Sequence, residues 1–162
     1  MKIILLILVT GMASFLAGCS SPPLALAPIG PGPAGRGSMA SGGELEVFSK
    51  MVGRSQGNNP SWRQHSDYYI YDLQGRLIKH VRNTVGYYER APGLVALPAG
   101  NYLVKARAKD YFWVDVPVAI RSGETTAVYL DKSWNIPSDA DTNEVVYLPD
   151  GYPAGWRNSM TK

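Results

Sequence analysis

The chain has 162 residues, with 16 Lys and Arg against 13 Asp and Glu and a formal net charge of +3. This length suits one ordinary domain plus some chain outside a core, and it argues against a two-domain enzyme. Hydrophobic residues make up 45% of the chain, which excludes a wholly disordered protein, and the small net charge is not that of a typical nucleic-acid binder.

Residues 1–18 have the layout of a secretory signal peptide. Met1 and Lys2 form a short basic start, and Ile3 to Val9 are an unbroken apolar run. This run is too short to cross about 30 Å of hydrocarbon as a helix. We therefore expect the segment to be removed rather than kept as a membrane span.

The segment Leu16-Ala17-Gly18-Cys19 resembles the lipobox of bacterial lipoproteins, which are cleaved before the cysteine and acylated on it. Cys19 is the only cysteine in the chain, and lipidation explains an odd cysteine in an exported protein without a disulfide partner. The alternative is an ordinary signal peptide with an incidental cysteine. The resemblance implies an envelope protein held by palmitate-type acyl chains. Ser20, in place of Asp, resembles the signal for an outer-membrane location facing the periplasm.

Residues 19–43 are expected to be the lipidated cysteine followed by a disordered linker. Residues 20–43 contain five prolines, six glycines and one charged residue, Arg36. Such a composition cannot build a core and predicts a spacer with a reach of roughly 25 to 75 Å.

Residues 44–133 alternate β-branched or aromatic residues with polar ones, in short runs separated by turn residues. We see no amphipathic helix of any length. The pattern predicts an all-β domain, a small antiparallel sandwich of Ig-like or transthyretin-like type with about seven strands. Pro117 is expected at a sheet edge or a bulge, because proline cannot donate a ladder hydrogen bond. The predicted strands are Glu44–Ser49, Asp67–Leu73, Leu77–Arg82, Gly93–Leu97, Asn101–Lys109, Phe112–Ile120 and Thr125–Asp131.

The order of turn motifs over residues 67–131 carries a second resemblance. Tyr71-Asp72-Leu73-Gln74-Gly75 precedes Pro98-Ala99-Gly100-Asn101-Tyr102, then Asp110-Tyr111, then Gly123-Glu124-Thr125. This series is similar to carboxypeptidase-regulatory-like and PEGA-type β-sandwich modules, although Asp110 replaces the usual glycine. The resemblance implies a non-catalytic stalk, accessory or scaffold domain.

Candidate catalytic residues are few. The chain has two histidines, and His65, beside Ser66 and Asp67 in a polar stretch, is the better candidate for a general base. We therefore expect no enzyme, and an enzyme that uses His65 is the weakest of three readings.

Metal and cofactor sites are not expected either. Two distant histidines and one lipidated cysteine cannot supply a zinc site. Asp139, Asp141 and Asn143 alternate as in a calcium loop, but Glu144 stands where that loop needs glycine, so a solvated acidic loop is expected.

Aromatic residues supply the candidate binding site. Tyrosines at successive positions of a strand point to opposite faces, so some must be exposed. Trp113, Tyr69 and Tyr71 are the candidates for stacking on a sugar or contacting a protein. The alternative is that residues 134–162, a partly ordered extension, cover them, with Val145–Leu148 as an eighth strand and Trp156 docked.

Two functions therefore stay open. The first is a non-catalytic envelope lipoprotein that serves as an interaction or structural module. The second is a carbohydrate- or peptidoglycan-binding accessory lipoprotein. The expected partners are the membrane, through the lipid anchor, and an envelope protein or glycan, but not nucleic acid.

Overall fold

The computed structural model describes residues 24–33, 41–53, 63–83 and 91–158. Within these ranges the protein is all-β, with thirteen strands and one short 3-10 helix at Thr142–Glu144. In this part of the chain, no helix is long and apolar enough to cross a membrane. In chain order the strands are β1 (Leu24–Ala25), β2 (Ile29–Gly30), β3 (Gly42–Phe48), β4 (Met51–Gly53), β5 (Arg63–His65), β6 (Tyr68–Tyr71), β7 (Leu77–Val81), β8 (Val95–Pro98), β9 (Gly100–Ala106), β10 (Val114–Ile120), β11 (Thr125–Tyr129), β12 (Val145–Tyr147) and β13 (Pro153–Arg157).

Two sheets enclose one core, an arrangement consistent with a β-sandwich. The large sheet has eight strands in the order β12-β13-β2-β10-β9-β6-β7, with β1 also paired to β10, and the small sheet has the order β11-β3-β8. Strands β4 and β5 form a separate hairpin. Alternate residues of both sheets meet in a single hydrophobic cluster, with Ile70, Val104 and Val116 from the large sheet and Leu45 and Val128 from the small one.

All seven predicted strands are present. The described residues contain more strands than predicted, and not all of the strands pair in the predicted antiparallel direction. Thirteen strands replace the expected seven, and the six additional strands are short. Pairing is also not purely antiparallel, because β11 runs parallel to β3, with Thr126 opposite Leu45 and Val128 opposite Val47. Alternation within a strand reports its two faces and not the direction of its neighbour, so the sequence left this pairing open.

Pro117 lies in a central strand, so the edge prediction is wrong. On one side β10 pairs with β9 along its whole length, and on the other it pairs with β1 and β2. The Leu26 amide donates to the Asp115 carbonyl at 3.0 Å, so odd-numbered residues of β10 present their peptide groups to this second side. Pro117 therefore faces the interruption between β1 and β2, where no ladder donor is required.

The linker prediction is wrong for residues 24–30. Leu24 and Ala25 pair with Val114 and Asp115, and Ile29 pairs with Val118 and is fully buried. Scattered apolar residues among prolines and glycines are enough to dock this segment, because the sheet supplies the missing backbone partners. The predicted signal peptide and residues 19–23 and 34–40 lie outside the described residues.

The C-terminal extension also joins the large sheet. β12 forms at Val145–Tyr147, as the eighth-strand alternative supposed, and β13 places Trp156 opposite Gly30 of β2. The two segments that flank the predicted sandwich therefore meet each other on one edge of the large sheet.

Turn residues behave as their chemistry predicts. Asp110 has a φ of 66°, so it adopts the left-handed conformation that the resemblance implied at this position, where the modules that the sequence resembles carry glycine. Asp72 accepts hydrogen bonds from the Gln74 and Arg76 amides at 3.1 and 2.8 Å, which closes the β6–β7 turn over Gly75, whose φ is 78°.

Candidate functional site

The three predicted stacking residues lie together on the outer face of the large sheet. Tyr68 and Ile70 of β6 are buried in the core, so Tyr69 and Tyr71 point outward. Trp113, which immediately precedes β10, reaches across β9 to bring its ring centroid to 6.0 Å from that of Tyr69. The Tyr69 and Tyr71 centroids are 6.5 Å apart. We call Tyr69, Tyr71, Trp113 and their neighbours His80 and Phe112 the outer aromatic layer.

The rings of the outer aromatic layer already contact other side chains through their faces. His80, directly opposite Tyr69 on β7, stacks on it with centroids 4.7 Å apart and planes 16° apart. The Arg107 guanidinium lies 5.2 Å from the Phe112 centroid and 6.0 Å from that of Trp113. The outer aromatic layer is therefore a packed surface of rings and basic side chains on the sheet.

A second group of aromatic rings surrounds a pocket on the opposite side of the molecule, beside β11. The pocket has a volume of about 680 Å³, within the range of natural ligand sites. We call it the aromatic pocket. Its walls combine β11, the segment around the 3-10 helix, β13 and the residues after β2. Its lining residues are Gly32, Pro33, Thr125, Ala127, Tyr129, Trp134, Pro137, Asp139, Ala140, Asp141, Glu144 and Trp156.

Strand register and one close approach position the rings of the aromatic pocket. Phe48 and Tyr129 are register partners on β3 and β11 and stack at 4.6 Å. Trp134 continues this column, stacking on Tyr129 at 5.0 Å, and meets Trp156 edge to face at 5.3 Å. Trp156 packs so closely on Gly32 that a Cβ there would lie 2.5 Å from the indole.

Lys132 holds the start of the segment that carries Trp134. Its ammonium group donates to the Asp110 carboxylate at 2.7 Å and also pairs with Asp150. These hydrogen bonds lower the pKa of both carboxyl groups below the ordinary value and raise the pKa of Lys132. The pair of bridges ties the β9–β10 turn to the β12–β13 turn.

Carboxylates surround the mouth of the aromatic pocket. Asp139, Asp141 and Glu144 are exposed lining residues. Asp141 also caps the 3-10 helix, because its Oδ1 accepts from the Asn143 amide at 2.9 Å. Burial, followed by the nearby Glu46 and Asp131 carboxylates, raises the pKa of the Tyr129 hydroxyl, which therefore stays protonated at neutral pH. The pocket thus offers apolar walls and acceptor groups, which suit a ligand with a hydrophobic face and donor or cationic groups.

The acidic residues do not assemble a metal site. Among the residues that the structure describes, no group of three or more His, Cys, Asp or Glu is placed to hold a metal ion. Asp141 is engaged in capping rather than in a calcium loop.

His65 belongs to a buried network that ties loops together. Its Nδ1 lies 2.7 Å from the Ser49 carbonyl, and since a carbonyl only accepts, Nδ1 donates. The Ser49 hydroxyl donates to the Ser66 carbonyl at 2.6 Å, and Asn83 Nδ2 donates to the Val47 carbonyl at 2.7 Å. The Ser49 hydroxyl is therefore used in a structural bond and is not held as a nucleophile by this imidazole nitrogen.

Sequence reasoning located the outer aromatic layer but missed the aromatic pocket. The one signal in the sequence is that Trp134, Tyr147 and Trp156 make residues 134–162 too apolar for a purely solvated tail. Gly32 and Trp156 are 124 positions apart, and nothing in their local patterns indicates that they touch. Cys19 and the residues Leu16, Ala17 and Gly18 of the predicted lipobox lie outside the described residues. No protein-family model, curated protein or solved structure matches this chain.

Proposed function

We propose that the protein is a membrane-anchored, non-catalytic lipoprotein of the cell envelope that serves as an interaction module. The lipobox at Leu16–Cys19, which ends a signal-like run, supports acylation of Cys19. Two sheets around one core support an Ig-like or transthyretin-like sandwich related to carboxypeptidase-regulatory-like and PEGA-type modules. Ser20 after the cysteine supports an outer-membrane location facing the periplasm.

The aromatic pocket is the observation that carries the proposed interaction role. A volume of about 680 Å³ exceeds the gaps left by ordinary packing, and three aromatic side chains line it. The walls come from segments remote in sequence, so the pocket exists only in the folded protein. We infer that the interaction partner inserts a side chain or a small group here.

The proposal of a binding role rather than catalysis follows from the lining chemistry. The described residues that line the pocket include no Ser, Cys, Lys or His. The Thr125 hydroxyl donates to the Glu44 carboxylate at 3.2 Å, on the exposed surface of the small sheet. This hydroxyl–carboxylate pair is exposed to solvent rather than sheltered in the pocket, and we therefore propose binding rather than covalent catalysis at this site.

A carbohydrate- or peptidoglycan-binding role is the second candidate, and the aromatic pocket favours it over the outer aromatic layer. Tyr129, Trp134 and Trp156 supply apolar ring surface, while Asp139 and Asp141 supply hydrogen-bond acceptors for hydroxyl groups. Rings in both regions stack on neighbouring side chains, but those of the aromatic pocket also line a concave space with room for a ligand. We therefore place a glycan site in the pocket.

The anchor is tested by intact mass spectrometry of the protein extracted from membranes. We expect a mature chain that begins at Cys19 and carries acyl chains, and we expect Cys19→Ala to leave the membrane fraction. An unacylated chain in the parent protein would reject the anchor.

The pocket is tested by retention on insoluble glycans, including peptidoglycan, and by pull-down from detergent-solubilised membranes. Trp134→Ala is compared with Trp113→Ala, the matched substitution in the outer aromatic layer. Loss of glycan retention in Trp134→Ala alone supports the glycan candidate, and loss of a captured envelope protein in that variant supports the interaction module. Equal capture by the parent and Trp134→Ala would reject the pocket as the binding site.

A further inference from the structure

The described chain begins very close to the predicted anchor. Leu24, the first residue of β1, is five residues after Cys19. Because β1 runs parallel to β10 and pairs Leu24 with Val114, the N-terminal end of β1 lies at the end of the large sheet where β10 starts. Leu24 and the turn before β10 therefore share one end of the sheet.

The distance between the lipid and the domain is consequently short. Five residues span at most about 18 Å when fully extended. A spacer of 24 residues would have let the domain move through roughly 25 to 75 Å, but docking of residues 24–30 removes most of that freedom. Acylation at Cys19 would hold this end of the large sheet beside the headgroups.

The end of the sheet that faces the anchor is aromatic and basic. Between β9 and β10, Phe112 is 74% exposed, and Trp113 is partly exposed beside it. Arg107 lies against both rings, and Lys109 is exposed. Aromatic rings with adjacent basic side chains are the residues that proteins place at a membrane–water interface.

The turn that carries Phe112 and Trp113 is held in place by contacts with other parts of the protein. Asp110 adopts a φ of 66°, and its carboxylate pairs with Lys132 at 2.7 Å, which offsets its negative charge next to the basic residues. Tyr111 packs against the core. Phe112 and Trp113 are therefore held outward on a fixed support.

We propose that the domain binds the surface of the lipid bilayer that carries the anchor. It does so through the rings of Phe112 and Trp113 and the basic side chains of Arg107 and Lys109, which we call the membrane contact. This inference rests on the proposed lipidation of Cys19. The rings enter the headgroup region, and the basic groups contact anionic headgroups. The acyl chains attach the protein to the bilayer at one point, and a second membrane contact fixes the orientation of the domain.

Quenching of tryptophan fluorescence tests this membrane contact. The acylated protein is reconstituted into vesicles of phosphatidylethanolamine and phosphatidylglycerol, with or without bromine on the acyl chains. We expect brominated lipid to quench the parent emission, Trp113→Phe to lose most of this quenching, and Trp134→Phe, the matched control in the aromatic pocket, to retain it. Phe112→Asp should also reduce the quenching. Leu73→Asp should not, because Leu73 is in the turn after β6, at the end of the large sheet opposite to Phe112.

Two results would overturn the proposal, and they differ in meaning. If mass spectrometry of the same sample shows acylated Cys19 but Trp113→Phe is quenched as strongly as the parent, the membrane contact is refuted and the lipid anchor is confirmed. If Cys19 carries no acyl chain, both the lipid anchor and the membrane contact are refuted.

Discussion

The outer aromatic layer and the aromatic pocket contain similar residues but arise differently. The layer rests on adjacent strands, where Tyr69 and its cross-strand neighbour His80 stack directly. The pocket is enclosed by parts of the chain that are far apart in sequence, where Trp156 of β13 meets Gly32 beyond β2. In both regions a tyrosine stacks on its cross-strand neighbour, Tyr69 on His80 and Tyr129 on Phe48, but at the aromatic pocket segments remote in sequence also pack around the rings and enclose a space. A count of aromatic residues cannot distinguish these two outcomes.

The largest expected loss of stability comes from a substitution of Ile29, near the aromatic pocket. This side chain is fully buried on β2, next to the chain that forms one wall of the aromatic pocket. We predict that Ile29→Ala lowers the free energy of unfolding by about 2–5 kcal/mol, because it leaves a cavity in the core. Chemical denaturation measures this change.

Ile78→Ala is the control for that prediction, because Ile78 is 43% exposed on β7. Its expected effect is within about 0.5 kcal/mol. Equal losses for the two variants would contradict docking of the N-terminal segment.

Gly32→Ala sharpens the comparison by disturbing the aromatic pocket alone. The added Cβ would lie 2.5 Å from the Trp156 indole, so one of the two must move. We expect a loss of about 1–3 kcal/mol from overpacking, measured by denaturation. The loss should shrink in a Trp156→Ala background, since the clash is then absent. An unchanged loss in that background would argue against this contact.

Trp134→Ala should lower the free energy of unfolding by an amount similar to that of Gly32→Ala, and it should also have a clear spectroscopic effect. It removes the contacts with Tyr129 and Trp156, each worth about 0.5–1.5 kcal/mol beyond area burial. We expect the near-ultraviolet circular dichroism of the aromatic column to fall, which Trp113→Ala should not reproduce. Identical spectra for Trp134→Ala and the parent would show that the column is not formed.

The smallest predicted effect concerns Lys132, which links the two regions. Its hydrogen bonds lower the pKa of Asp110 and Asp150 from the ordinary value of 3.8. Stability from these bridges is therefore present above that pH and is lost as the pH falls through the lowered values. The thermal midpoint should fall across this acid range in the parent and should change less steeply in Lys132→Met. Parallel curves for the two proteins would contradict the prediction.

The sequence predicted what depends on alternation within a strand. Valines at every second position of β10 placed it in the core, and the pattern of β6 placed Tyr69 and Tyr71 outside. Composition misled where few residues decide the outcome, because Leu26 and Ile29 dock a segment otherwise rich in proline and glycine. Pro117 was predicted at an edge or a bulge because it cannot donate a ladder hydrogen bond. It lies in a central strand with unbroken register to β9, and the chain on its other side is interrupted there.

The aromatic pocket was beyond prediction for a related reason. Its walls depend on pairing between β2 and β13, with Trp156 opposite Gly30. Such pairing is determined by the whole core rather than by local pattern, and a glycine permits a close approach without specifying its partner.

Hydrogen–deuterium exchange over residues 24–30 of the mature protein tests the central claim most directly. Leu26 donates to the Asp115 carbonyl, and Ile29 is buried, so their amides should exchange slowly, at rates similar to those of β10. Slow exchange would place the domain within a few residues of Cys19. Exchange as fast as in an unstructured peptide would mean that the segment is a free spacer, and the short connection between anchor and domain would be refuted.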